Sequence, residues 1–185
     1  MPQPAAPTAQ PKDDTEHCPK VIRIDKGFTF KQWDDPKSNW RPVAQFPTNI
    51  HLDLVHHGVI ADPFVGKNED DVQWIGNTPW VYRTSFLSPA ILNQRAVLAF
   101  DGLDTYASVI LNSDHILKTE NMFVPERVDV TEHILQNMEN VIEIIFESTY
   151  FVGRKLAEKY STHHWGCWNG DPSRLAVRKA QYHYV

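Results

Sequence analysis

The stretch Trp80-Val81-Tyr82-Arg83-Thr84-Ser85-Phe86-Leu87, WVYRTSFL, decides the fold class. A strand turns successive side chains to opposite faces. Here that places Trp80, Tyr82, Thr84 and Phe86 on one face, and Val81, Arg83, Ser85 and Leu87 on the other. Downstream, Ala96–Phe100 is a short all-apolar run, fit for a strand buried on both faces. Tyr106–Leu111 follows Gly102 and runs into Asn112-Ser113-Asp114, a turn with Asn where positive φ is tolerated. Ile116–Lys118 is the expected hairpin partner, and Val124–Val130 and Val141–Phe146 are further strand candidates. Upstream, Lys20–Ile24 is the first short apolar run. The β-branched content of these runs favours strands.

Helical signals are few. Thr48–Gly58 follows Pro47 with Thr48 as the expected cap and Gly58 as the stop, enough for two turns. Thr131–Leu135 is a short capped turn, and Phe151–Tyr160 is a third segment with Arg154 and Glu158 spaced i, i+4. Many short strands at roughly ten-residue spacing, with few helices, predict an all-β fold, a jelly-roll β-sandwich with a few short helices.

A length of 185 residues suits one domain and is too short for a β/α barrel, which needs about 250. Residues 1–19 are expected to be a disordered leader, because the start is rich in Pro, Ala and Gln, and residues 20–185 to be the sandwich domain. Eighteen Lys and Arg against 23 Asp and Glu give a net charge of -5, which argues against nucleic acid or an anionic membrane as partner. No stretch reaches the roughly 18 apolar residues of a membrane span, and no signal-like apolar run stands at the start. The two cysteines, Cys18 and Cys167, are expected to be free thiols in a reducing compartment. The expected location is therefore cytoplasmic.

No Gly-rich phosphate loop, Ser elbow or Cys-x-x-Cys pair is present, and no cofactor is implied. His163-His164-Trp165-Gly166-Cys167 would need a fourth ligand for zinc, and neither His183 nor Asp171 stands at a diagnostic spacing, so no metal is expected. His56 and His57 suit a helix C-terminus, where positive charge is favoured. Trp165, Trp168, Tyr182, His183 and Tyr184, mixed with Asn169, Asp171, Arg174 and Arg178, have the chemistry of a sugar site: flat rings for C–H faces and polar groups for hydroxyls. The alternative is that the tryptophans are core and rim residues of the sandwich. Ile60–Gly76, IADPFVGKNEDDVQWIG, is a long acidic segment, read as a functional or a solvated loop.

From this loop a family likeness extends through most of the chain. FPTNIHLDLVHHGVIADPFVGKNEDDVQWIGNTPWVYRTSF (Phe46–Phe86) resembles the opening of the β-mannosidases of glycoside hydrolase family 2. The likeness continues through LAFDGLDTYASVILN (Leu98–Asn112), TENMFVPERVDVT (Thr119–Thr131) and WNGDPSRLAVRKAQYHY (Trp168–Tyr184). It is greatest to the intracellular fungal branch.

The resemblance implies an N-terminal jelly-roll domain of the galactose-binding type, followed in such enzymes by further sandwiches and a catalytic β/α barrel. It implies retaining release of terminal, non-reducing β-D-mannose from β-mannosides or manno-oligosaccharides. Two barrel glutamates would do this chemistry, about 5–5.5 Å apart. Glu69, Glu143 and Glu147 match no catalytic motif of the family, so the chain alone is expected to be inactive, with the barrel as its missing partner. Family members continue past the equivalent of Tyr184 with a Gly-Trp-Asp-Trp-Gly run; Val185 stands where its first Gly would be, and the domain is expected to be cut short there. Asn68, Glu69, Trp168, Asn169, Asp171, Arg178 and Tyr184 carry over as substrate-adjacent or barrel-interface residues, none of them catalytic. A free-standing carbohydrate-binding module, or an interaction module without hydrolase activity, is the alternative.

Overall fold

The computed structural model describes residues 20–91, 94–164, 166–167 and 170–176. The expected leader, residues 1–19, lies outside them, as does Cys18. Among the described residues eight strands form: β1 (Thr29–Gln32), β2 (Arg41–Pro42), β3 (Trp80–Leu87), β4 (Val97–Phe100), β5 (Ala107–Leu111), β6 (Asp114–Thr119), β7 (Glu126–Asp129) and β8 (Glu139–Phe146). Six make one antiparallel sheet in the order β2-β1-β3-β8-β5-β6, and β4 pairs with β7 in a second. The described residues also form the helices α1 (Ile50–His56), α2 (Asn68–Asp71) and α3 (Thr149–Lys159), with 3-10 helices at Gln73–Asn77 and Pro172–Ala176.

β3 has the bounds and the inward face that its alternation predicts. Trp80, Tyr82 and Thr84 are buried, while Arg83, Ser85 and Leu87 are exposed. Val81 is also fully buried, so the start of the strand is covered on both sides. Across the sheet the registers align Phe30, Tyr82, Ile144, Val109 and Leu117 in one row. Each of the first four sheds most of its apolar surface there, worth about 1.5–3 kcal/mol per side chain. Leu98 and Phe100 of β4 pack on the same core from the second sheet.

The β5–β6 hairpin turns through Asn112 and Ser113, both at positive φ (50° and 80°), the pair of left-handed residues that suits strand twist. Asn140, at the start of β8, is fully buried and fully satisfied. Its Oδ1 accepts from Asn112 Nδ2 (2.7 Å) and Leu135 N (2.8 Å), and its Nδ2 donates to the carbonyls of Leu135 (2.9 Å) and Met138 (3.0 Å). One amide thus pins the 131–139 connection, including its Thr131 turn, against the sheet.

Four expectations need correction. Lys20–Ile24 is not a strand: residues 20–25 have no regular structure, Val21 and Ile22 are exposed, and only Ile24 reaches the core. Its charged residues Lys20 and Arg23, and the following Asp25, are exposed as well. Ala96–Phe100 is not buried on both faces. In a two-stranded sheet it has one covered face, so Leu98 and Phe100 point in and Val97 and Ala99 point out. The cap of α1 is Asn49, whose extended backbone lets Oδ1 accept from Leu52 N at 3.1 Å, and not Thr48. The segment Ile60–Gly76 is not a loop throughout: residues 60–67 turn without regular structure, and from Asn68 it folds into α2 and most of the 73–77 helix.

α1 is fixed by an unusual anchor. Asp53, completely buried, accepts a hydrogen bond at Oδ2 from the Tyr82 hydroxyl at 2.9 Å, and its Oδ1 has no hydrogen-bond partner among the described residues. Burial first, then the nearby Asp53 charge and the bond to it, push the Tyr82 phenol well above its ordinary value. At the other end of α1, the N–H of His57 closes the helix on Asp53 O (3.1 Å), and its ring Nε2 lies 2.7 Å from Pro42 O. His57 therefore ties the helix to β2 as well as suiting its C-terminus.

Candidate functional site

Helical elements gather at one end of the sandwich. α2 packs on the 73–77 helix, that helix on α3, and α3 on the 172–176 helix. Ser148 starts α3 directly after β8. Its Oγ accepts from Phe151 N (3.1 Å) as the helix cap and donates to Gly76 O (2.9 Å). The segments approach so closely that side chains are excluded. A Cβ on Gly76 would lie 2.3 Å from the Tyr150 ring, and one on Gly153 would lie 2.1 Å from Ser173 O. Arg154 Nη2 reaches Asn77 Oδ1 at 3.4 Å, and the Arg174 guanidinium lies 5.5 Å from the Tyr150 ring centre. Arg154 is therefore used across the cap, toward Asn77.

Three of the predicted site residues are described, and all lie on this cap. Asn68 opens α2 and is half-buried, and its Nδ2 donates to Asp62 O at 2.8 Å, so the amide holds the preceding turn. Glu69 is exposed, and its carbonyl accepts from Gln73 Nε2 at 2.8 Å. Asp171 precedes the 172–176 helix and caps it, accepting from Ser173 Oγ (2.6 Å) and Ser173 N (3.0 Å). Those two bonds, and then the charges of Arg174 and Arg154, hold the Asp171 carboxyl below its ordinary range. Among the described residues, α2, which carries Asn68 and Glu69, is linked to the 172–176 helix beside Asp171 through the 73–77 helix and α3. Trp168, Asn169, Arg178 and Tyr184 lie outside the described residues, as do Trp165, Tyr182 and His183.

Other carboxylates are used on the surface. Glu143 lies 3.9 Å from Arg83 Nε, and Glu147 lies 4.0 Å from Lys118 Nζ. Cys167 is a free thiol. Among the described residues no three of His, Cys, Asp and Glu converge as metal ligands, and no helix is long and apolar enough to cross a membrane. Away from the cap, Gly27, Phe28, Val43 and Phe46 line a hollow floored by the Phe28–Phe46 ring stack, 4.9 Å between centroids. The cap residues Ser148, Gly76 and Gly153 were not foreseen. A Ser ahead of a helical pattern was the one readable signal for the first of them.

Residues 28–185 match the glycosyl hydrolase 2 galactose-binding domain-like family. The chain belongs to that family. Its fold agrees: a crystal structure of the β-D-mannosidase from Dictyoglomus thermophilum superposes with a TM-score of 0.77 at 33% identity, over 88% of this chain and 20% of that one. By sequence, this galactose-binding-like domain is 56% identical over 165 residues to β-mannosidase B of Thermothelomyces thermophilus. That match covers 89% of this chain and 19% of the relative. The corresponding protein of Aspergillus terreus is 43% identical over 160 residues, covering 85% of this chain and 19% of the relative. The chain therefore spans about a fifth of the length of the relatives it matches.

Proposed function

We propose that this chain is the non-catalytic N-terminal sandwich domain of a β-mannosidase, an enzyme that releases terminal β-D-mannose from β-mannosides with retention. The observation that carries this reading is the 56% identity to a β-mannosidase B over 89% of this chain but only a fifth of that protein. The hydrolytic glutamates would lie in the remaining four fifths. The described carboxylates support that division: Glu143 and Glu147 face cations at the surface, Asp171 caps a helix, and Asp53 bonds to Tyr82 inside the core. Asn68, Glu69 and Asp171 would act, on this reading, by shaping a surface toward the catalytic domain. A cytoplasmic setting belongs to the same proposal, supported by the free thiol of Cys167.

The test compares purified chain 1–185 with the product of the full reading frame that carries it, using p-nitrophenyl β-mannoside and mannobiose. Hydrolysis is expected from the longer product alone. Robust turnover by chain 1–185, or a folded longer product inert on both substrates, would overturn the proposal.

A further inference from the structure

We propose that the Phe64–Val65 turn is a docking anchor, seated in an apolar pocket with a basic rim on the catalytic part of the same polypeptide. This rests on the reading of the chain as an N-terminal domain. Phe64 is 97% exposed and Val65 60%, adjacent apolar side chains held out into solvent. The turn that carries them is closely braced. Asp62 Oδ1 accepts from Phe64 N (2.9 Å), and Asp62 O accepts from Val65 N (3.2 Å) and from Asn68 Nδ2 (2.8 Å). Val65 O accepts from Asn68 N (3.2 Å), and Gly66 takes the positive φ of 61° that reverses the chain.

An exposed aromatic on such a braced turn has already lost much of the conformational freedom that binding would cost. Large aromatic side chains that fill a partner's pocket are the residues that dominate interfaces. The surroundings choose the occupant. Asp62, Glu69, Asp70 and Asp71 flank the tip, with Lys67 as the cation among them. The complementary pocket is therefore rimmed by Arg or Lys. A second copy of this domain would bring the same acidic rim to a two-fold contact, where like charges meet. The matched relatives are about five times longer than this chain, which leaves ample polypeptide to supply the pocket.

The test uses the product of the full reading frame and three variants: Phe64→Asp, Phe64→Leu, and Leu87→Asp as a control at another exposed apolar position. Tryptic release of the N-terminal domain and light scattering are measured beside mannosidase activity. Phe64→Asp is expected to release the domain about tenfold faster, while Phe64→Leu and Leu87→Asp behave like wild type. Equal release from Phe64→Asp and wild type would overturn the anchor. So would a wild-type dimer that Phe64→Asp converts to monomer, since the occupant would then be a second copy. Absence of β-mannoside hydrolysis by wild type would instead sink the functional reading, because release reports docking without requiring activity.

Discussion

Replacing Tyr82 by Phe tests what holds α1 on the sheet. The substitution keeps the ring, which stacks on Phe30 at 5.8 Å between centroids and meets Phe146 edge-on at 6.0 Å. It removes only the hydroxyl that donates to Asp53 Oδ2 at 2.9 Å. Both oxygens of a completely buried carboxylate would then lack a partner. A hydrogen bond to a charged group is worth about 1.5–3 kcal/mol net, and a carboxylate stranded in the core puts the cost toward the upper end. For a domain of this size that corresponds to a fall in Tm of about 4–10 °C. Urea and thermal unfolding of Tyr82→Phe, Asp53→Leu and the double variant would isolate the pair. The double variant should cost less than the two single losses together by about 1.5–3 kcal/mol. The pH dependence follows from the phenol. Its folded value is raised above 10.0, so its contribution is whole below pH 10 and falls as the pH rises beyond it. Tyr82→Phe should lack that alkaline loss. A variant within about 0.5 kcal/mol of wild type, or strictly additive losses, would refute the claim that this bond fixes α1.

Gly153→Ala gains about 1 kcal/mol of helix propensity but drives a Cβ to 2.1 Å from Ser173 O, so a net loss of roughly 1–2 kcal/mol is expected in urea unfolding, with faster amide exchange at residues 171–176. Ser148→Ala removes both the α3 cap and the donor to Gly76 O and should cost about 1–3 kcal/mol, visible as a lower urea midpoint. Asn140→Asp exchanges an amide that donates to two carbonyls for a carboxylate that repels them. Its urea midpoint should fall further than that of Asn140→Ala. Asp129 titrates at about 2, held down first by the Thr131 hydroxyl and N–H and then by Arg95, so Thr131→Ala should raise the titration midpoint read from its carboxyl resonance in NMR toward 3.8. Because this value is depressed, the related stability is present above pH 3.8 and is lost as the pH falls toward 2.

The strands that alternated cleanly were readable, and β3 kept the bounds its pattern gave. A period of two reports which residues share a face but not how many faces are covered. Ala96–Phe100 was therefore read as doubly buried when its outer face is open. Phe28-Thr29-Phe30-Lys31 alternates just as clearly, yet β1 went unread, because four residues give a weak signal without the pairing that Tyr82 and Trp80 provide across the register. Thr48 and Asn49 are both capping types, and only backbone geometry decides between them. The acidic run Asn68–Asp71 concealed α2, whose turn is secured by Asp62 and Gln73 rather than by apolar spacing. Asp171 drew notice because aromatic and polar residues surround it in sequence. The cap it forms with Ser173, two positions on, was not read there.

The polar groups inside the domain bear on how such a chain could take part in a reaction. A catalytic acid or nucleophile needs a carboxylate that is partly desolvated, unencumbered, and open to a cleft. Asp53 is desolvated but enclosed beneath α1 and bonded to Tyr82. Asn140 spends its hydrogen-bonding capacity on the 131–139 connection and on Asn112 of the β5–β6 turn, and Thr119 bridges Ala107 N and Thr105 O within the sheet. Ser148 joins β8, α3 and the 73–77 helix. Thr119 and Ser148 lie at the end of the sheet where Gly76 and Gly153 let helices touch and where the exposed Phe64 turn precedes α2, while Asn140 braces the opposite end of β8. Rigidity of that kind is what a supporting domain contributes to a site assembled elsewhere: it holds a surface within the fraction of an ångström that positioning requires. On the proposed reading, loosening the cap by Gly153→Ala should lower the activity of the full reading-frame product. Unchanged activity in a variant whose cap exchanges faster would separate the cap from the reaction.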